Sequence, residues 1–189
     1  MSQFNKKRCM MIDIETLDTA RSAVVIQVAA IVFDMNDLGE WDEVSAIDVV
    51  LPVGPQVTDG RTVSGRTVAW WLSESKYKVF AALTKRACTS TLNYSDKLQQ
   101  LKVDLNSFGC VEYWFQGPTF DAIVLEDLIG GLVPWKYYQV RDQRTADKLA
   151  ICQETIKDMK KTINHDALED VRNQIDRLSY CKAERHYHG

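Results

Sequence analysis

Apolar positions cluster near the N-terminus in three stretches with strand character. Residues 8–14 (RCMMIDI) are apolar except at Arg8 and Asp13. Residues 24–35 (VVIQVAAIVFDM) form a longer apolar run broken by Gln27, and residues 43–51 (EVSAIDVVL) mix apolar and polar positions. Short segments with turn formers, such as MNDLGE, separate them, so the pattern predicts an antiparallel meander of three strands. Residues 52–66 (PVGPQVTDGRTVSGR) hold two of the four prolines and three of the nine glycines, and they read as a long, mobile loop on one face.

From residue 67 the period lengthens. TVAWWLSES, KYKVFAALTKRA and YSDKLQQLKVDLNSF read as helices, the last with Leu98, Leu101 and Leu105 at helical spacing. Residues 111–117 (VEYWFQG) predict a fourth strand. TFDAIVLEDLIGG follows as a helix with Phe120, Ile123, Val124 and Leu128 on one stripe, stopped by Gly130 and Gly131. A short strand then leads into a helix starting near Asp142 or Arg144, and a final helix spans about residues 166–182. The expected order is three strands, helices, strand, helix, strand, helix, helix, with no internal repeat.

Composition narrows this picture. At 189 residues, 46% hydrophobic and 26% charged, the chain is expected to fold as a single domain, residues 1–189, with a shielded core. The run at residues 24–33 is far shorter than the roughly 20 apolar residues of a membrane span. The N-terminus enters the first strand without a separate hydrophobic region or a small-residue cleavage site, so a cytoplasmic protein is expected. Cys9, Cys88, Cys110, Cys152 and Cys181 are scattered without zinc-site spacing and read as reduced thiols. A formal charge of −3 argues at first against a nucleic-acid partner.

The acids change that picture. Asp13 and Glu15 lie two apart on a strand, so their side chains leave one face, in a setting where a carboxylate is unfavourable without compensation. Asp121 stands just past the fourth strand, where open α/β sheets place ligands, although an acid in a first helical turn also complements the helix dipole. His165 and Asp170 are five apart. Five helical steps rotate about 140°, so the two would not share a helix face, and His165 belongs to the entering loop with Asp170 one turn inside. Taken singly, His165 is equally a helix-start residue between Asn164 and Asp166.

Together, D-x-E on the first strand, F-D after a later strand and H-x-x-x-x-D at the last helix resemble the DEDDh 3′-to-5′ exonucleases of the ribonuclease-H-like superfamily. VAWWLSES, WFQGPTFDAIVLEDL and VRDQRT bring the likeness nearest to the phage exonuclease A and small bacterial exoribonuclease branch. The resemblance implies an α/β fold with a ribonuclease-H-like mixed sheet, the meander plus parallel strands, flanked by helices. It implies Asp13, Glu15, Asp121 and Asp170 as catalytic metal ligands and His165 as general base. One departure stands out: many relatives carry an asparagine shortly before F-D, where this chain reads QGPTFD.

Four carboxylates without a cysteine ligand make a hard-oxygen set suited to two Mg²⁺ or Mn²⁺ ions. A neutral imidazole would take the proton of the attacking water. The resemblance further implies nucleic-acid contacts at Thr16 (backbone) and Leu17 (an apolar wedge on the terminal base), while strand-end packing stays open for Leu17. Arg144 is a candidate phosphate ligand, and Asp142 a helix cap. Two divalent ions would turn the formal charge from −3 to +1. Lys6, Lys7, Arg8, Arg61, Arg66, Lys160 and Lys161 are candidates for a short phosphate track, and Trp70, Trp71 and Trp114 for base stacking or core.

The expected partners are single-stranded DNA or RNA 3′ ends, the phage-like resemblance leaning slightly toward DNA, with no membrane and with homodimerisation suggested by the family. An exoribonuclease acting on RNA 3′ overhangs, or a catalytically silent nucleic-acid-binding module, are the alternatives.

Overall fold

The structure, a computed structural model, describes residues 6–161 and 165–188. Strands β1 (Lys7–Thr16), β2 (Val25–Met35) and β3 (Trp41–Val50) form the expected antiparallel meander. Strands β4 (Glu112–Phe115) and β5 (Val140–Asp142) add to its β1 edge in parallel, giving a mixed sheet of order β3-β2-β1-β4-β5. The helices are α1 (Val53–Thr58), α2 (Gly65–Trp71), α3 (Tyr77–Thr89), α4 (Tyr94–Asn106), α5 (Asp121–Leu128), α6 (Gln143–Lys148), α7 (Gln153–Lys160) and α8 (Ala167–His188).

The two-residue period of β1 divides the core. Met10, Ile12 and Ile14 face a layer built from Leu101 and Leu105 of α4 and Val124, Leu125 and Leu128 of α5. Cys9 and Met11 face the opposite layer, where α8 brings Ala167, Val171, Ile175 and Leu178. Asp13 and Glu15 continue this second parity, so the strand directs both acids to the α8 side. The same alternation in β4 sends Tyr113 and Phe115 to the first layer and Trp114 to the second. A third cluster, containing Leu17, Val24, Ile26, Trp71 and Leu83, joins the sheet to α2 and α3.

Residues 52–66 are not the free loop that their proline and glycine content suggested. They contain α1, with Pro55 in its first turn, where a missing N–H is tolerated. Fully buried Gln56 secures it: its Oε1 accepts from the Val25 N–H (2.9 Å), and its Nε2 donates to the Val25 (2.8 Å) and Pro52 (2.9 Å) carbonyls. An amide side chain thus supplies the hydrogen bonds a neighbouring strand would make. A bridge between Ala23 and Thr62 holds the far end. Helix α7 has no counterpart in the periodicity reading. It presents Ile156 to a small cluster with Ala150 and Cys181, too little apolar surface to announce a helix.

Candidate active site

Asp13 and Glu15 lie near the C-terminal end of β1. Beside it, the short turn after β4 carries the chain into α5, whose first residue is Asp121, and the Asp121 N–H donates to the Gly117 carbonyl at 3.1 Å. Glu15, Asp121 and Asp170 are buried at 9%, 8% and 6% exposure, low enough that each carboxylate has lost most of its hydration. Burial, followed by the mutual repulsion of the acids, holds Glu15 and Asp121 well above the ordinary carboxylate range. Asp13 is pushed up to about 7, chiefly by burial and also by Asp170, against a lowering hydrogen bond from Gln174.

His165 stands where α8 begins, in the left-handed backbone region at φ 64°, which no other described non-glycine residue adopts. Its backbone N–H donates to Asp170 Oδ2 at 3.1 Å, tying the loop to the helix one turn inside. Asp166 caps that helix through the Leu168 N–H (3.1 Å), while Asn164 lies outside the described residues. The His165 ring meets Trp70 edge-on, with centroids 4.8 Å apart and planes at 77°. Burial, then Lys76, lowers the His165 pKa, so the neutral base is favoured. Candidate ligand atoms of Glu15, His165 and Asp170 all lie within 4.8 Å of one another.

Two polar residues that interrupt apolar patterns hold this arrangement. Gln27, fully buried and paired in register with Glu15, accepts from the Ala167 N–H (2.9 Å) and donates to Asp48 (2.9 Å). It thereby fastens the start of α8 to the sheet. On α8, Asp170, Gln174 and Arg177 follow one another at i, i+4 and i+7, so they share a face. Gln174 Nε2 donates to Asp13 Oδ1 at 3.0 Å. Arg177, fully buried, donates to Asp147 Oδ2 (2.6 Å) and to Gln116. Gln116 therefore braces the turn leading to Asp121 in the region where relatives were expected to carry asparagine. The spacing of Asp170, Gln174 and Arg177 was the available sequence signal, but a polar heptad face on a surface helix looks the same until its partner is known.

The expected substrate contacts are placed as follows. The Thr16 carbonyl accepts from Trp71 Nε1 (2.9 Å), and its hydroxyl donates to the Asp18 carbonyl (2.7 Å). Leu17 is 3% exposed inside the third core cluster, the strand-end packing left open by the sequence, and so offers no free apolar face in this arrangement. Asp142 caps α6 through the Arg144 N–H (3.1 Å) and Thr145 Oγ1 (2.6 Å). The Arg144 guanidinium lies against Gly117, where an added Cβ would sit 3.0 Å from its nearest nitrogen, and its charge lowers the pKa of both Asp13 and Asp121.

The basic track thins out. Arg8 pairs with Asp34, Lys6 with Asp42, Lys160 with Asp147 and Lys161 with Asp158. Arg61 is spent on Asp127 and the Ala23 carbonyl. Arg66 has no hydrogen bond or ion pair among the described residues. It lines a cleft of about 460 Å³ together with Glu15, Thr16, Asp18, Thr67 and Trp70. Trp71 is core, Trp114 packs partly buried beside α8, and Trp70 is 41% exposed, which leaves part of its ring to the cleft.

Several comparisons bear on this architecture. Among solved structures, a product-bound exonuclease I superposes with a TM-score of 0.65 at 12% identity, over 96% of this chain and 45% of the other. The chain thus spans less than half the length of that protein and shares its fold. Cell-death related nuclease 4 (CRN-4) aligns over 93% of this chain and 63% of its own, at 15% identity and a TM-score of 0.46. No curated protein matches the sequence significantly. The family profile of the 3′-5′ exoribonuclease Rv2179c-like domain matches residues 8–182, encompassing the strands, the acids and His165, and the chain belongs to that family.

Proposed function

We propose that this chain is a metal-dependent 3′-to-5′ exonuclease that releases nucleoside 5′-monophosphates from single-stranded nucleic acid. The observation that carries the reading is the convergence of half-buried Asp13 with buried Glu15, Asp121 and Asp170, all like charges, beside a neutral-biased histidine. Such a cluster is unfavourable unless cations join it, and its all-oxygen donors fit Mg²⁺ or Mn²⁺. Asp13, Glu15, Asp121 and Asp170 would hold two ions, which supply activation of water and stabilisation of the charge developing on the phosphate and leaving oxygen.

The chain's own groups then divide the work. His165 accepts a proton from the attacking water. The water oxygen bonds to phosphorus, the bond from phosphorus to the 3′ oxygen breaks, and that oxygen leaves as the new 3′ hydroxyl after taking up a proton. Trp70 and Trp71 pack edge-on against the His165 imidazole, and the Asp170 carboxylate anchors the His165 backbone. Arg66 and the exposed part of Trp70 provide a cation and a stacking surface in the cleft next to Glu15, enough for a short strand end.

The family's designation as exoribonuclease favours RNA over DNA. The decisive experiment offers 3′-labelled single-stranded RNA and DNA of one sequence, and a circular single strand, to the protein with Mn²⁺. Stepwise release from RNA, no cutting of the circle and no release by Asp13→Ala are expected. Equal release by Asp13→Ala would refute the assignment, and metal-independent binding without turnover would indicate a binding module.

A further inference from the structure

We propose that Gln174 is a positioning residue for the cation site: it fixes the orientation of Asp13 through a hydrogen bond, and the chain retains it for that purpose at the expense of core packing. The inference rests on the metal-dependent reading above.

The geometry comes first. Gln174 lies one turn after Asp170, so a single face of α8 carries both a candidate ligand and the group that holds another. Its Nε2 donates to Asp13 Oδ1 at 3.0 Å, leaving Asp13 Oδ2 without a hydrogen bond among the described residues. A carboxylate with one oxygen anchored cannot swing freely, and its second oxygen keeps one direction.

The second observation is what Gln174 lacks. The side chain is 1% exposed, and its Oε1 is buried with no hydrogen-bond partner. A buried acceptor without a donor destabilises a fold, and an apolar residue of similar length would avoid this. The neighbouring positions on α8 that face the sheet, Val171, Ile175 and Leu178, are apolar and fully engaged in the second core layer. Packing alone favours methionine at position 174. A glutamine kept there points to its donor, and that donor is used on Asp13.

The choice of a neutral donor is also informative. An arginine or lysine touching Asp13 would form an ion pair in competition with an arriving cation. The nearby cations act on Asp13 from a distance instead: Arg177 is committed to Asp147 and Gln116, and Arg144 lies against Gly117. An amide orients the carboxylate and leaves its charge for the metal.

The test compares the full-length native chain with Gln174→Met by melting in EDTA, Mn²⁺ titration calorimetry and steady-state kinetics on a 3′-labelled oligonucleotide. In EDTA the variant loses both the hydrogen bond to Asp13 and the unpaired buried Oε1, opposing effects that should leave it folded with a melting temperature close to the native one. Its Mn²⁺ affinity should fall about 10- to 100-fold, the usual effect of losing an outer partner of a metal ligand. Its kcat should recover as Mn²⁺ is raised, with KM for the oligonucleotide unchanged. Native-like Mn²⁺ affinity would overturn the proposal. If the native chain binds no Mn²⁺, the exonuclease reading fails first and this inference falls with it.

Discussion

Asp13→Asn separates the demands of folding from those of chemistry more cleanly than any other single change. The substitution removes one negative charge and keeps the shape, and the Asn Oδ1 can still accept from Gln174 Nε2. In the metal-free chain Asp13 is pushed up to about 7 by burial and by Asp170, against an ordinary 3.8. A carboxylate whose folded pKa is raised contributes nothing adverse below about 4, where it is protonated in both states. Its ionisation then destabilises the fold progressively as the pH rises through about 7.

The difference corresponds to about 4 kcal/mol if none of it is relieved. Residual solvent contact and relaxation of the neighbouring acids reduce this, and a gain of about 1 to 4 kcal/mol is expected for the variant at pH 8. For a chain of this size that raises the melting temperature by roughly 3 to 15 °C. The assay is thermal melting of both proteins in EDTA from pH 4 to pH 9. The curves should coincide near pH 4 and separate above it, with the variant the more stable. Mn²⁺ should raise the native melting temperature, have a much smaller effect on the variant, and restore no activity to it. A variant no more stable than native at pH 8 would refute the reasoning, because the acids would then not form a strained cluster of like charges.

Further outcomes follow from the same geometry. With burial and Lys76 lowering the His165 pKa, the acid limb of the kcat profile should lie below 6.5, and His165→Ala should lose about 10²- to 10⁴-fold in kcat; a profile unchanged by the substitution would remove His165 from the chemistry. Arg66→Ala should raise KM several-fold with little change in kcat and reduce the salt slope of single-strand binding by about 0.7, the signature of one lost phosphate contact; an unaltered slope would place Arg66 outside the substrate path. Gln56→Ala leaves the Val25 N–H and carbonyl without their side-chain partners and should cost about 2 to 3 kcal/mol of stability in chemical denaturation, with kcat retained by the folded fraction; a loss below 0.5 kcal/mol (~) would show that α1 is not pinned in this way.

Strands were the most legible part of the chain. Apolar runs in β1 and β2 and a mixed stretch in β3, each set off by turn formers, depend only on local composition, so the meander could be read from the sequence to within a few residues at each end. Residues 52–66 could not, because one buried amide, Gln56, overrides their loop-like composition. Likewise α7 carries too few apolar positions to stand out, and it depends on a cluster that includes Cys181 of the following helix.

For the candidate site, the sequence alone determined the chemical type of the donors and the face that Asp13 and Glu15 share, since alternation along a strand is a local property. The tertiary structure decided what a linear reading leaves open. It showed that α8 covers that face, and that Gln174 and Arg177 reach Asp13 and the turn before Asp121. It also showed that Leu17 is committed to the core and that Arg66, unlike the paired Arg8, Arg61 and Lys160, lines the cleft without a partner among the described residues. The physical reason is range: period and propensity act over a few residues, whereas hydrogen bonds, ion pairs and desolvation depend on groups up to 161 positions apart that only the packed fold brings together.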